Sequence, residues 1–253
     1  MNRRRWLAAA AVIALAACKE RETATREITI AAAASLRAVL PELARVYQAA
    51  HPGVRVTMTY GSSGDLQKQV EGGAPVDAVM FASGKPVDAL IAKGSAERPS
   101  RRVLATNELV LIGPKGGRPI SFATLDSLAP GEMLAIGDPG AVPAGQYARE
   151  YLTALGKWRA LDGKLVLGGA VAAVLAYARR GEVAAAIVYR TELRGITDVV
   201  VLDTATGPSA PRPEVVAAVV SAARAAGEAS AFLAFVASPE GRKILADFGF
   251  GPP

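Results

Sequence analysis

Short apolar runs alternate with longer segments of helical period along most of this 253-residue chain. Residues 27–33 (EITIAAA) read as a strand, 38–50 as a helix, 54–60 as a strand, 66–71 as a helix and 76–81 as a strand, after which 87–92 turns helical again. The order is β-α-β-α-β. Such alternation builds a mainly parallel sheet with helices on both faces, and ligands gather at the carboxyl ends of its strands. A second set follows: strand 109–112, a helix from Phe122, strand 134–136, helix 144–155, a short strand near Leu165, helix 171–180 and strand 185–188. Two such units predict two α/β lobes. Segments 199–202 and 215–220 read as further strands, and the tail closes with helices over 230–236 and 239–248, the second capped by Ser238 with Pro239 at its first position.

The first residues stand outside this pattern. Arg3, Arg4 and Arg5 precede an apolar run from Trp6 to Ala17, too short to span a bilayer and shaped like a secretory leader over 1–17. Leu15-Ala16-Ala17-Cys18 resembles a lipobox, in which the cysteine becomes the lipidated first residue of a bacterial lipoprotein. Cys18 is the single cysteine, so it has no disulfide partner within the chain. Arg4-Arg5-Trp6-Leu7 is compatible with twin-arginine export, and three arginines before an apolar run equally with the general route. Residues 18–26 read as a polar tether between a lipid anchor and the folded part. The expected location is the periplasm or cell envelope, with the membrane touched through the lipid alone.

Losing the leader changes the charge balance. The formal net charge is +6, but removal of Arg3, Arg4 and Arg5 leaves 26 of the 29 basic residues against 23 acidic ones, in a mature chain of about 235 residues. Aromatics are only 6% of the chain and no run of Lys and Arg is interleaved with them, so nothing calls for a nucleic-acid partner. His51 is the sole histidine, and before Pro52-Gly53 it belongs to a helix end. Without a second histidine or a free cysteine, the usual Ser/His/Asp, Cys/His and zinc arrangements cannot be assembled. The glycine-rich segments match neither GxxxxGK[ST] nor GxGxxG. The expectation is a protein that is not an enzyme and carries no cofactor.

What remains is a set of strand ends followed by small or hydroxylic residues that open helices. Ala32-Ala33-Ala34-Ser35-Leu36 follows the first strand and Tyr60-Gly61-Ser62-Ser63-Gly64-Asp65-Leu66 the second. A serine there can cap a helix, or its hydroxyl can donate to an anion alongside the neighbouring amides. The stretch Gly137-Asp138-Pro139-Gly140-Ala141-Val142-Pro143-Ala144-Gly145 is the most informative. It joins a strand end to a helix that starts at Pro143, whose first amides lack partners within the helix and can donate to an oxyanion.

The segments IAAAASL, YGSSGDL, EGGAPVDAVMFAS, GDPGAVPAGQYAREYL, ARRGE…AIVY and SPEGRKILADFGF, in this order, resemble the periplasmic molybdate-binding proteins that deliver oxyanion to an ABC importer. The resemblance runs from about Glu27 to the C-terminus. It implies the two-lobed type II solute-binding fold, with the ligand in the cleft and the chain crossing between lobes twice: lobe one over 27–107 plus 201–253, lobe two over 108–200. It places oxyanion ligands on Ser35 and Ser63 from lobe one, and on the amides of Ala144 and Val171 and the hydroxyl of Tyr189 from lobe two. Molybdenum enters only as bound molybdate. The implied partner is the importer's membrane permease, and the receptor is expected to be a monomer.

Such a donor-only set suits molybdate or tungstate, whose oxygens are all acceptors at neutral pH. Sulfate and phosphate are the alternatives, phosphate requiring an acceptor for its remaining proton. Asp65, two residues after Ser63, is the one candidate, and it is expected to face solvent. Val171 departs from the family pattern, since Gly169-Ala170 and Ala172 flank it where relatives often carry an acidic residue and an arginine.

Overall fold

The computed structural model describes residues 26–253. The leader, Cys18 and the tether up to residue 25 lie outside the described residues. Arg26, expected in the tether, instead opens the first strand opposite Val54.

Two five-stranded sheets form the frame. Sheet one has β1 (Arg26–Ala33), flanked in parallel by β2 (Val54–Gly61) and β3 (Ala78–Phe81), then β10 (Glu214–Val219) antiparallel to β3, and β4 (Arg102–Thr106) at the edge. Sheet two repeats the plan. Its β6 (Leu134–Gly137) lies parallel between β7 (Leu165–Gly168) and β8 (Ala185–Tyr189), and β5 (Leu109–Pro114) runs antiparallel to β8, with β9 (Val199–Thr204) outside it. In each sheet the reversed strand is the first one laid down after the chain crosses from the other sheet.

The helices follow from side-chain period. In sheet one, alternate residues sort to opposite faces: Ile28, Ile30, Ala78 and Met80 join the larger core, while Ala31, Val79 and Phe81 pack with Leu66, Val70, Val87 and Leu90 on the other side. Those last four belong to α2 (Ser63–Glu71) and α3 (Gly84–Ala92), and α1 (Leu40–Ala50), α6 (Ala226–Ala237) and α7 (Pro239–Asp247) cover the larger core. In lobe two, α4 (Pro143–Ala154) and α5 (Val171–Arg179) pack on β6 and β8. The central strands β3 and β8 are buried along their whole length, as expected of strands covered on both faces. Buried Asp77 ties β1 to the start of α6 by accepting from the amides of Thr29 (2.9 Å), Arg224 (2.9 Å) and Ala225 (3.0 Å).

Several details differ from the sequence reading. The segment over 201–204 belongs to sheet two, where Thr204 pairs with Val110 and Val199 with Pro114, so the second crossing spans 205–213 and not the 200/201 boundary. An apolar run announces a strand without saying which sheet takes it. The helix expected from Phe122 is a six-residue 3-10 helix, Phe122–Ser127, opened by a reciprocal Ser121–Thr124 cap and halted before Pro130. Strand β4 has only Val103, Leu104 and Ala105 as an apolar signal behind two arginines, which is too short to announce itself. Helices α2, α3 and α6 each start three or four residues earlier than their apolar periodicity indicates. Ser238 caps α7 as expected, accepting from Gly241 N at 3.2 Å.

Candidate functional site

The carboxyl ends of β1, β2 and β3 meet those of β6, β7 and β8 across the cleft, at one cavity. It is lined from lobe one by Ser35, Ser62, Ser63, Ala82 and the small residues beside them. From lobe two come Val142, Pro143, Ala144, Ala170, Val171 and Tyr189. All five residues implied as oxyanion ligands therefore reach one place. None of the thirteen lining residues is charged. The volume open to the centre of a water-sized sphere is ≈ 20 Å³. One water needs about 10–15 Å³ by this measure, so the cavity suits a compact group of a few heavy atoms and not a sugar or peptide.

The hydrogen bonds already made within the protein leave a particular set of donors on the cavity walls. Ser62 is spent on α2: its Oγ accepts from Asp65 N at 3.1 Å and donates to Asp65 Oδ2 at 2.7 Å. Ser63, the first helical residue, is fully buried, and its Oγ accepts from Ala82 N at 3.2 Å. A hydroxyl that accepts there still has a proton to give. Ser35 sits on the 3-10 turn Ala34–Leu36 at the end of β1, a turn with no side-chain cap, and its hydroxyl makes no hydrogen bond among the described residues.

In lobe two the amides do this work. Pro143 has no N–H, and Gly145 and Gln146 both donate to Val142 O (2.9 and 3.1 Å), which leaves the N–H of fully buried Ala144 without an acceptor among the described residues. A buried amide is rarely left so, and it marks where an acceptor belongs. At α5, Ala173 and Val174 donate to Ala170 O (3.0 and 3.4 Å), and Val171, 4% exposed, keeps its own N–H. The flanking Gly169-Ala170 therefore does not prevent α5 from opening at Val171. The Tyr189 hydroxyl lies 3.4 Å from Ala82 O in lobe one. Burial, with Tyr147 and Glu192 adding to it, pushes its pKa well above the usual tyrosine value, so it stays a neutral donor.

The electrostatics come from dipoles. Helices α2, α4 and α5 all begin at the cavity, and each start carries a partial positive charge. Asp65 is exposed and turned away, with Oδ1 4.0 Å from Lys68 Nζ, as the sequence reading expected. His51 plays no part here: it ends α1, stacked on Tyr47 at 4.1 Å with Nδ1 2.9 Å from Tyr47 O. Among the described residues no cluster of His, Cys, Asp and Glu could hold a metal ion.

The lobes touch over the site. Gly64 N donates to Ala141 O at 3.2 Å, and a Cβ on Gly64 would come within 2.9 Å of that oxygen. Only a glycine lets α2 approach the loop before α4 so closely. Lys85 Nζ also reaches Glu150 Oε1 at 2.6 Å from lobe one to lobe two. The sequence reading missed two participants: the Ala82 amide that orients Ser63, and Gly64. Neither carries a side-chain signal that a sequence could show.

The sequence is 33% identical over 255 residues to the molybdate-binding protein ModA of Escherichia coli, covering 98% of each chain. The fold matches the Azotobacter vinelandii periplasmic molybdate-binding protein with a TM-score of 0.80 at 21% identity, covering 89% of this chain and 99% of that one. It matches the sulfate-binding protein SubI of Mycobacterium tuberculosis almost as well, with a TM-score of 0.79 at 20% identity and 90% and 87% coverage. Residues 28–251 match the family of bacterial extracellular solute-binding proteins. The chain belongs to this family of bacterial extracellular solute-binding proteins.

Proposed function

We propose that this protein captures molybdate, and tungstate with it, and delivers the anion to the permease of an ABC importer. The observation that carries this reading is a cleft cavity of a few atoms' size whose walls present hydroxyl and amide donors and no charged side chain. A fully ionised tetrahedral dianion offers acceptors on every side, and neutral donors with helix dipoles can match it. Hydrogen phosphate brings a proton that needs an acceptor, and the carboxylate nearest Ser63 in the chain, Asp65, is turned to solvent and bound to Ser62. Sulfate shares the donor-only chemistry, and SubI shows that the fold itself does not separate the two ions. Size then discriminates, since the larger molybdate reaches donors that sulfate leaves unmet.

Titration of the purified domain with molybdate, tungstate, sulfate and phosphate in one buffer tests this. The first two are expected to bind at least about 100-fold more tightly, which corresponds to two imperfect hydrogen bonds of ~1.5 kcal/mol each in the smaller ions. Sulfate or phosphate binding as tightly as molybdate overturns the reading.

The reading has the protein act by binding alone, as a monomer without cofactor or nucleic acid, and tethered outside the cytoplasm through lipid on Cys18. Mass spectrometry of the membrane-extracted protein is expected to find a mature chain beginning at a diacylated Cys18; an unmodified Cys18 refutes the anchor.

A further inference from the structure

Beside the cavity the lobes meet backbone to backbone. Gly64, the second residue of α2, donates its N–H to Ala141 O, in the loop before α4, at 3.2 Å. Gly64 directly follows Ser63 and Ala141 stands three residues before Ala144, so the contact lies between donors offered by opposite walls. Both sides of it are braced. Ala141 N and Val142 N each donate to Asp138 O (3.1 and 2.8 Å), while Asp65 N and Leu66 N donate to the Ser62 hydroxyl and carbonyl (3.1 and 3.0 Å). A Cβ on Gly64 would lie 2.9 Å from Ala141 O, 3.2 Å from its Cα and 3.5 Å from its carbonyl carbon, and these are the nearest atoms it would meet. The φ of Gly64 is not in the left-handed region, so the demand is for space.

Glycine within a helix is unfavourable unless something requires it, and at this position the requirement comes from the other lobe. We infer that Gly64 is the closure stop of the receptor: its bare Cα lets α2 seat against Ala141 and fixes how far the cleft shuts, which makes it a positioning residue for the donors of both lobes. The inference takes its ligand from the function proposed above. Ordinary contact begins at 3.4 Å, so a methyl at Gly64 holds the lobes about 0.5 Å further apart along that line. A cavity of ≈ 20 Å³ has no slack for such a gap, and an anion bonded to one wall is drawn off the other. The bridge from Lys85 to Glu150 cannot set this distance, because its side chains are 72% and 54% exposed and their flexible tips follow the lobes as they part. Without ligand the lobes separate, and a methyl at Gly64 then meets no backbone of the other lobe. A contact made only in the closed form shifts the balance between the two forms, and spoiling it appears as faster release of the ligand.

Stopped-flow release of molybdate from wild type, Gly64→Ala and Gly227→Ala, with thermal melts of each ligand-free protein, tests the stop. Gly227 is the control: it is likewise the second residue of its helix, α6, and a Cβ there meets nothing within 4 Å. Both variants are expected to melt, ligand-free, at or slightly above the wild-type temperature, because alanine restricts the unfolded chain and suits a helix. Gly64→Ala is expected to release molybdate about tenfold faster or more, the effect of one overpacked contact in the closed form, and Gly227→Ala to release it at the wild-type rate. Stability kept and affinity lost separate a closure stop from a glycine needed for folding. Wild-type release from Gly64→Ala, or a fall in its ligand-free melting temperature, overturns the inference. If the wild type prefers sulfate, the proposed ligand fails while the same comparison, run on sulfate, still decides the stop; a wild type that holds none of the four anions counts against both.

Discussion

Gly145→Ala is expected to abolish tight anion binding and to lower stability by about 3 kcal/mol or more. Gly145 is the third residue of α4, and its φ is not in the left-handed region, so the demand on it is space and not backbone freedom. A Cβ there would sit 1.9 Å from Gly137 O and 2.4 Å from Gly137 C, at the end of β6. Both are backbone atoms in a fully buried strand, which cannot swing aside as a side-chain tip can. The helix start must withdraw, and it takes the unpaired N–H of Ala144 out of the cavity. Gly140→Ala is the control, because its nearest neighbour is Asp138 Oδ1 at 3.2 Å, the end of a side chain that can give. Urea unfolding and calorimetric titration of both variants check this. A Gly145→Ala protein with wild-type stability and affinity would mean that α4 does not pack on β6 as described.

Ser63→Ala is expected to weaken molybdate binding about ten- to a hundredfold, the value of one hydrogen bond of roughly 1.5 to 3 kcal/mol to a charged acceptor. The neighbouring serine separates two roles that look alike on paper. Ser62 is engaged twice by Asp65, so Ser62→Ala should cost about 1 kcal/mol of stability through the lost cap and leave affinity nearly intact. Ser63→Ala should show the reverse, since its hydroxyl contributes no cap and its one bond within the protein is to Ala82 N. Tyr189→Phe is expected to match Ser63→Ala from the opposite lobe. Calorimetry with urea unfolding on the three variants reads both quantities, and a wild-type affinity in Ser63→Ala would remove that hydroxyl from the site.

Most of the elements are legible in the sequence because their burial is periodic. The alternation of β1 between two cores, the Ser238 cap of α7 and the Pro143 start of α4 all rest on residues within one turn or one pleat of each other. The elements that escape are those whose local signal is short or misleading. Strand β4 has three apolar residues at a sheet edge, the Phe122–Ser127 3-10 helix carries a helix-start signature that Pro130 cuts short, and β9 is a clear strand whose sheet is set by pairing with β5. The site divides along the same line. That strand ends open into hydroxylic and glycine-rich helix starts can be read directly, and the resemblance of YGSSGDL and GDPGAVPAG to a known family supplies which residues to compare.

The residues alone determined the α/β class, the starts of α4, α5 and α7 to within a residue, and the lack of a histidine or cysteine grouping for common catalysis, because each depends on composition or on neighbours a few positions apart. Only the tertiary structure decided that Ser62 is spent on the α2 cap while Ser63 bonds only Ala82 N, and that the Ala144 amide is left unpaired at the cavity. Those outcomes depend on where a hydrogen bond is already taken and on how closely two lobes approach, and both are set by groups such as Ala82 N and Ala141 O, which every residue possesses and no sequence distinguishes.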